Sequence, residues 1–317
     1  MKIHYRENQG KIEIVRCFGN DPEVALPESI GGKPVVRTAP YAFSARKNME
    51  EEDVLVFETE DQRMFGGGER LLAGEAVESV IFPDTMEEIG NYIFYGCRNL
   101  RRLSFSDRLR GVGSGAFTGC RELGSLRVNL TEGKKTCVKE ILGDLWQRID
   151  VTFLQGEREI RLVFPEHYEE AVENTPARIL FTQHHGSGNN YRQCFYAREM
   201  DYRKYDELFY VAKAYDRVNV LSDIAFSRLM YPEDLTEKAE REYEAYIREN
   251  ENQVLAYLTD AEKMEELREI SRRGLWERDA LETAADYAAR TGKREILSFL
   301  MEEQHRFFPV RRKKFDL

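Results

Sequence analysis

The sequence predicts an α+β chain: a β-solenoid of short stacked coils, a capping β segment, and then stacked pairs of helices. Three observations carry that prediction. Apolar residues recur every 23 positions from Val80 to Val128, strand-like alternation continues to Asp201, and helical spacing takes over after Arg203. The expected divisions are residues 1–130, 131–202 and 203–317.

The repeat is read from aligned stations. Val80, Leu103 and Leu126 coincide, as do Phe82, Phe105 and Val128. Met86 matches Leu109, Ile89 matches Val112, Phe94 matches Phe117, Gly96-Cys97 matches Gly119-Cys120, and Leu100 matches Leu123. Val80-x-Phe82 and Leu103-x-Phe105 alternate as short strands with one buried face. One coil cannot bury its own apolar edge, but stacked coils can. Their strands should therefore pair in parallel, about 4.8 Å apart.

Residues 10–130 resemble the BspA-type leucine-rich repeats. The resemblance is carried by Val80-Ile-Phe-Pro83, Ile89-Gly90, Ile93-Phe94-Tyr-Gly-Cys97-Arg-Asn-Leu100 and Gly115-Ala116-Phe117-Thr-Gly-Cys120-Arg-Glu-Leu123. The stretch from Val24-Ala-Leu-Pro27 to Tyr41-Ala-Phe43 is similar to the family's first coil. Ile93 stands where the family has Ala, and Ser106 where it has Pro. A strand over residues 54–57 falls out of register by two, and residues 58–74, with Gly66-Gly67-Gly68, interrupt the array. Four or five coils are expected. The resemblance implies a protein that binds other proteins.

In the middle segment, residues 149–154 and 160–164 alternate around Gln155-Gly156 as a hairpin or as two further edge strands. Residues 167–173 are expected to form a short helix closed by Pro176, and residues 178–182 a strand. His184-His185-Gly186-Ser187-Gly188 reads as a loop. An array of coils needs a cover for its last open edge, and this segment is the expected cap.

The tail predicts helices over residues 205–214 and 218–230, the second stopped by Pro232. Thr236 opens a helix through Tyr243 and Ile247. Val254 to Leu258 continue, and Met264 to Ile270 end at Gly274. Leu281, Ala284, Ala285, Ala288 and Ala289 face Ile296, Leu297 and Leu300 across Thr291-Gly292. That last pair resembles an ankyrin repeat, without the Thr-Pro-Leu-His run of its β-turn.

A net charge of −10 argues against a general nucleic-acid binder. No apolar run is long enough to span a bilayer, and the first residues lack a secretory pattern, so no membrane partner is expected. Cys17, Cys97, Cys120, Cys137 and Cys194 are an odd number without a CxxC pair, which fits reduced thiols and a cytoplasmic location. Cys97 and Cys120 could approach one another, yet small buried thiols account for them more simply.

No set of residues announces a reaction. His184 and His185 flank Ser187, but neighbours on an extended segment point to opposite faces, and Ser187 lacks the G-x-S-x-G elbow. His167-x-x-Glu170 supplies too few ligands for a metal. No phosphate-binding glycine loop is present, so no cofactor is expected. A hydrolase using the His184/His185 loop and a secreted carbohydrate-binding adhesin are the alternatives to a non-enzymatic scaffold.

The sharpest clue is a run of arginines, Arg98, Arg101, Arg102, Arg108, Arg110, Arg121 and Arg127, in an otherwise acidic chain. In the coil register Ser79, Arg102 and Ser125 share one outward station, and Ile81, Ser104 and Arg127 another. Ser79, Ile81, Arg102, Ser104 and Arg127 are thus the expected partner-binding residues, with guanidinium groups forking onto an acidic segment of a partner protein. The alternative is that Arg102 and Arg127 pair internally with Glu50, Glu51, Glu52 and Asp53, or stay solvated.

Overall fold

The computed structural model of the chain describes residues 1–46, 54–59, 70–174 and 179–309. It divides into two compact units, Met1–Leu208 and Phe209–Leu317. The glycines at 66–68, the acids at 50–53, Pro176, Arg178 and the basic residues 311–314 lie outside the described residues.

The first unit opens with a hairpin, β1 (Lys2–Asn8) and β2 (Lys11–Phe18). Its turn, Gln9-Gly10, has φ of 51° and 75°, the left-handed pair that matches strand twist. The chain then winds between two sheets. It passes through β3 (Glu23–Ala25), β4 (Ser29–Ile30), β5 (Lys33–Thr38), β6 (Leu55–Glu58), β7 (Ser79–Ile81) and β8 (Glu88–Ile89). β9 (Arg102–Ser106), β10 (Gly111–Val112), β11 (Ser125–Asn129), helix α1 (Val138–Gly143), β12 (Ile149–Gln155) and β13 (Arg158–Phe164) follow. The first sheet runs β3-β7-β9-β11-β12-β13, parallel as far as β12. The second runs β6-β1-β2-β5-β8-β10. The result is a β-solenoid of about five turns.

The 23-residue period becomes a column of side chains. Val24, Val80, Leu103, Leu126 and Val151 sit opposite one another on successive rungs, each no more than 2% exposed. On the third side of the coil Phe43, Phe94 and Phe117 stack with ring centroids 5.5 and 5.6 Å apart. Each fully buried ring contributes about 1.5–3 kcal/mol relative to exposure. Main-chain bonds link the same coils, Phe43 N–H to Ile93 O and Phe94 N–H to Ala116 O, both 3.0 Å. The Cys97 and Cys120 thiols donate to the carbonyls of Phe43 and Phe94. They are free and buried, and burial pushes the Cys97 thiol up to about 12. Gly90 and Gly113 stand where successive coils approach most closely: a Cβ on Gly90 would lie 2.5 Å from the Ala39 carbonyl carbon, and one on Gly113 2.4 Å from the Gly90 carbonyl carbon.

The ends are closed by antiparallel addition. The strand expected over residues 54–57 as an out-of-register rung is instead β6, paired antiparallel with β1 at the margin of the second sheet. At the other end β12 is itself a rung, and β13 folds back on it through Gln155-Gly156 as a hairpin. Beyond β13 come β14 (Tyr168–Asn174), β15 (Ile179–His185), α2 (Gly188–Tyr191), β16 (Phe195–Tyr196), β17 (Glu199–Met200) and α3 (Tyr202–Glu207). The short helix expected over 167–173 is therefore a strand: residues 168–174 pair antiparallel with 179–185. Tyr168 and Val172, four apart in sequence, would share a face in either period, and cross-strand pairing decides. His184 and His185 accordingly end β15 instead of lying in a loop.

Two side chains fasten this end. The Tyr205 hydroxyl donates to Val163 O at 2.7 Å and accepts from Val163 N–H at 3.0 Å, occupying both main-chain groups on the far side of β13. Arg192, 4% exposed, donates to five carbonyls: Leu142, Leu145, Gln147, Pro165 and Gly188. Burial lowers its affinity for the proton to about 10, which leaves it charged at neutral pH.

The second unit is helical: α4 (Phe209–Tyr215), α5 (Val218–Met230), α6 (Glu237–Glu249), α7 (Glu251–Asp260), α8 (Met264–Arg273), α9 (Arg278–Thr291) and α10 (Arg294–Phe307). The helix expected over 205–214 is divided at Leu208, which caps α3. α5, α7 and α9 pack in series, each followed by an antiparallel partner. Thr236 caps α6 by accepting from Ala239 N–H, and Gly274 and Gly292 end α8 and α9 in the left-handed conformation. α7–α8 and α9–α10 are copies offset by about 30 residues. Lys263 N–H bonds to Leu258 O and Lys293 N–H to Ala288 O, and the hydroxyls of Tyr257 and Tyr287 reach Asp223 and Asp260 at 2.8 Å. Arg273 joins α5, α6 and α8 through Leu229 O, Glu240, Glu244 and Glu269.

Glu251, 4% exposed, accepts from Glu277 N–H ahead of α9, while its second oxygen has no hydrogen-bond partner among the described residues. Burial, aided by the Glu277 charge, lifts its pKa to about 7 against the pull of that hydrogen bond and of Arg248. Stability held by the neutral carboxyl is complete below the ordinary value of 4.5 and is lost as pH rises through about 7. Glu251→Gln should therefore raise stability near pH 8 by about 1–2 kcal/mol and by much less near pH 5. Urea midpoints at the two pH values check this, and an equal gain at both would contradict it.

Candidate interaction surface

The outer face of the first sheet presents two rows of residues fixed by strand register. One row runs Glu23, Ser79, Arg102, Ser125, Asp150. The other runs Ala25, Ile81, Ser104, Arg127, Thr152, Arg161. Neighbours in a row are about 4.8 Å apart, so long side chains reach across a strand.

That reach decides the first row. Arg102 forms an ion pair with Glu23, two strands away, over the small Ser79 between them. Ser79, expected at an outward station, is in consequence only 7% exposed. Asp150 is engaged by Arg148 at 2.8 Å.

The second row is different. Ile81 is 48% exposed, Ser104 and Thr152 are half-buried, and Arg127 is exposed. Among the described residues no carboxylate lies within ion-pair distance of Arg127. Arg161, further along, is held by Glu159 at 2.7 Å.

Most of the arginine run is matched between coils. Arg98 lies 3.6 Å from Glu75, Arg101 3.9 Å from Glu78, and Arg108 and Arg110 meet Glu132 at 2.9 and 3.1 Å. These partners stand about one coil length away in sequence; the acids at 50–53 lie outside the described residues. On the second sheet Arg37, Glu87, Glu88, Arg108, Arg110, Gly111 and Glu132 line an open trough. There Arg37 pairs with Glu88 at 3.2 Å, and Lys11 with Glu87 at 2.9 Å. Sequence reasoning named two of its arginines but not the trough, whose other members come from distant coils.

The histidine segment is built as a strand pair. His185 stacks on Tyr168 at 4.4 Å, and its Nε2 lies 3.2 Å from Glu170. Ser187 is fully buried just ahead of α2. Among the described residues no cluster of three or more His, Cys, Asp or Glu is placed to hold a metal ion, and no helix is long and apolar enough to cross a membrane.

Residues 68–141 match the model of the BspA type leucine rich repeat region, in six copies. That match falls within the coiled part of the chain and spans the rungs β7, β9 and β11. Two solved structures are similar to it. One is a leucine rich cell surface protein from Faecalibacterium prausnitzii A2-165, at 20% identity over 42% of this chain and 36% of that one, with a TM-score of 0.27. The other is the leucine rich repeat protein of T. pallidum, at 20% identity over 40% of this chain and 72% of that one, with a TM-score of 0.21. The chain thus covers little more than a third of the first protein's length. No curated protein is significantly similar to the chain. Leucine-rich-repeat proteins generally serve as interaction or adhesin-like scaffolds.

Proposed function

We propose that this chain is a non-enzymatic scaffold that binds another protein, and that an acidic segment of the partner docks on the outer face of the first sheet at Arg127. The observation that carries the reading is an exposed guanidinium with no carboxylate in ion-pair distance among the described residues, set between Ser104 and Thr152 with Ile81 beyond. Such a row offers a forked charge, flanking hydroxyls and an apolar contact. Arg102, already paired with Glu23, is an adjunct. We read the second unit as an ankyrin-like stack that adds further binding surface, on the strength of its repeated helix pairs. The five buried free thiols are consistent with a reducing cytoplasm, and neither nucleic acid nor membrane is part of this reading.

The test uses a fluorescent peptide alternating glutamate and valine, titrated with the full chain at low salt. Arg127→Glu should weaken binding about tenfold or more, and Arg102→Ala no more than about threefold. Unchanged affinity in Arg127→Glu would overturn the assignment.

A further inference from the structure

We propose that the outer edge of β6 is a strand-addition site for an extended segment of a partner protein carrying alternating apolar and basic residues.

β6 ends its sheet, with β1 on one side and no strand among the described residues on the other. Thr59 N–H bonds to Met1 O at 2.9 Å, which sets the phase of the antiparallel ladder. Residues alternate between groups turned to the partner strand and groups turned away. Phe57 and Leu55 therefore pair with Ile3 and Tyr5, and the main-chain groups of Val56 and Glu58 face outward.

Sheet edges are ordinarily protected. The opposite end of the array shows this: Tyr205 occupies the outward groups of Val163, and the ion pair of Arg161 with Glu159 charges the rest of β13. Among the described residues β6 has no such protection. Leu55 is 50% exposed and Val56 52% exposed, and the strand contains no Lys, Arg or Pro. Because successive side chains alternate between faces, an added strand would meet an apolar residue on each.

Charge selects the occupant. Glu58 lies within the strand, and in sequence Glu50-Glu51-Glu52-Asp53 precede it and Glu60-Asp61 follow. A second copy would bring the same acidic sequence to this edge and be repelled, whereas a basic strand is attracted to it. Four residues supply few main-chain bonds, so modest affinity is expected.

The probe is an acetylated, amidated peptide alternating valine and lysine, titrated into the full chain. It should bind, and it should slow amide exchange at Val56 and Glu58. The glutamate–valine counterpart should leave that exchange unaltered. Methylating the peptide nitrogens on its pairing edge should weaken binding about tenfold or more, as should Val56→Pro, whose lost N–H serves no bond to β1. Arg127→Glu should leave this binding unaltered, which separates the site from the one proposed above. Binding insensitive to methylation, or no added protection at Val56, would overturn the proposal. So would self-association of the unliganded chain that Val56→Pro abolishes, since β6 would then belong to a second copy.

Discussion

Arg192→Met is expected to destabilise the closing end of the solenoid by about 3–5 kcal/mol, more than any other single change at that end. Among the described residues the guanidinium has no carboxylate in ion-pair distance. Its charge is balanced by five carbonyl dipoles, drawn from the end of α1, from the link to β12, from Pro165 after β13 and from the first residue of α2. Methionine fills much of the volume but removes the side-chain donor from all five; Gly188 O and Leu142 O keep only the main-chain N–H groups of Arg192 and Leu145. Arg192→Lys should recover only part of the loss, because an ammonium has three donors and no planar fork. Hydrogen exchange is the suitable readout: protection should fall around α1, β13 and α2 and persist in the helical unit. A loss below about 1 kcal/mol would mean that water replaces the guanidinium easily.

Phe94→Ala should cost a similar amount, about 3–5 kcal/mol, by a different route. Phe94 is sandwiched between Phe43 and Phe117 and touches Phe82 at 6.2 Å, so alanine opens a cavity shared by three coils. Main-chain bonds on either side hold the coils at fixed spacing and prevent collapse into the gap. Phe94→Leu should cost about 1–2 kcal/mol. Urea unfolding of the full chain gives both values, and equal losses for Ala and Leu would mean that ring stacking, not filled volume, dominates.

The array was legible because its signal is redundant. Each inward station recurs at a fixed offset, so Phe94 and Phe117 could be placed in contact from their spacing alone. The Arg102–Glu23 pair was not legible, because the interrupted stretch between β5 and β7 hides which residue of the first coil lies opposite Ser79. Knowing that arginines face outward does not reveal which are already neutralised; that depends on the strand two rungs away. Residues 167–173 misled for another reason. Tyr168 and Val172 share a face in a helix as in a strand, and the choice was made by β15, beyond any local window. β6 was recognised as a strand but assigned to the array, since its few residues carry no mark of the sheet or the neighbour they join.

The column of Val24, Val80, Leu103, Leu126 and Val151 makes length an adjustable property of this molecule. Every interior rung meets its neighbours through the same stations, and the two closures rest only on the outermost rungs. A whole 23-residue module could be duplicated or removed between β7 and β11 while the phase of each closure stayed intact. An insertion of one or two residues would break that phase. The extent of the binding face can thus change in steps while the fold stays constant.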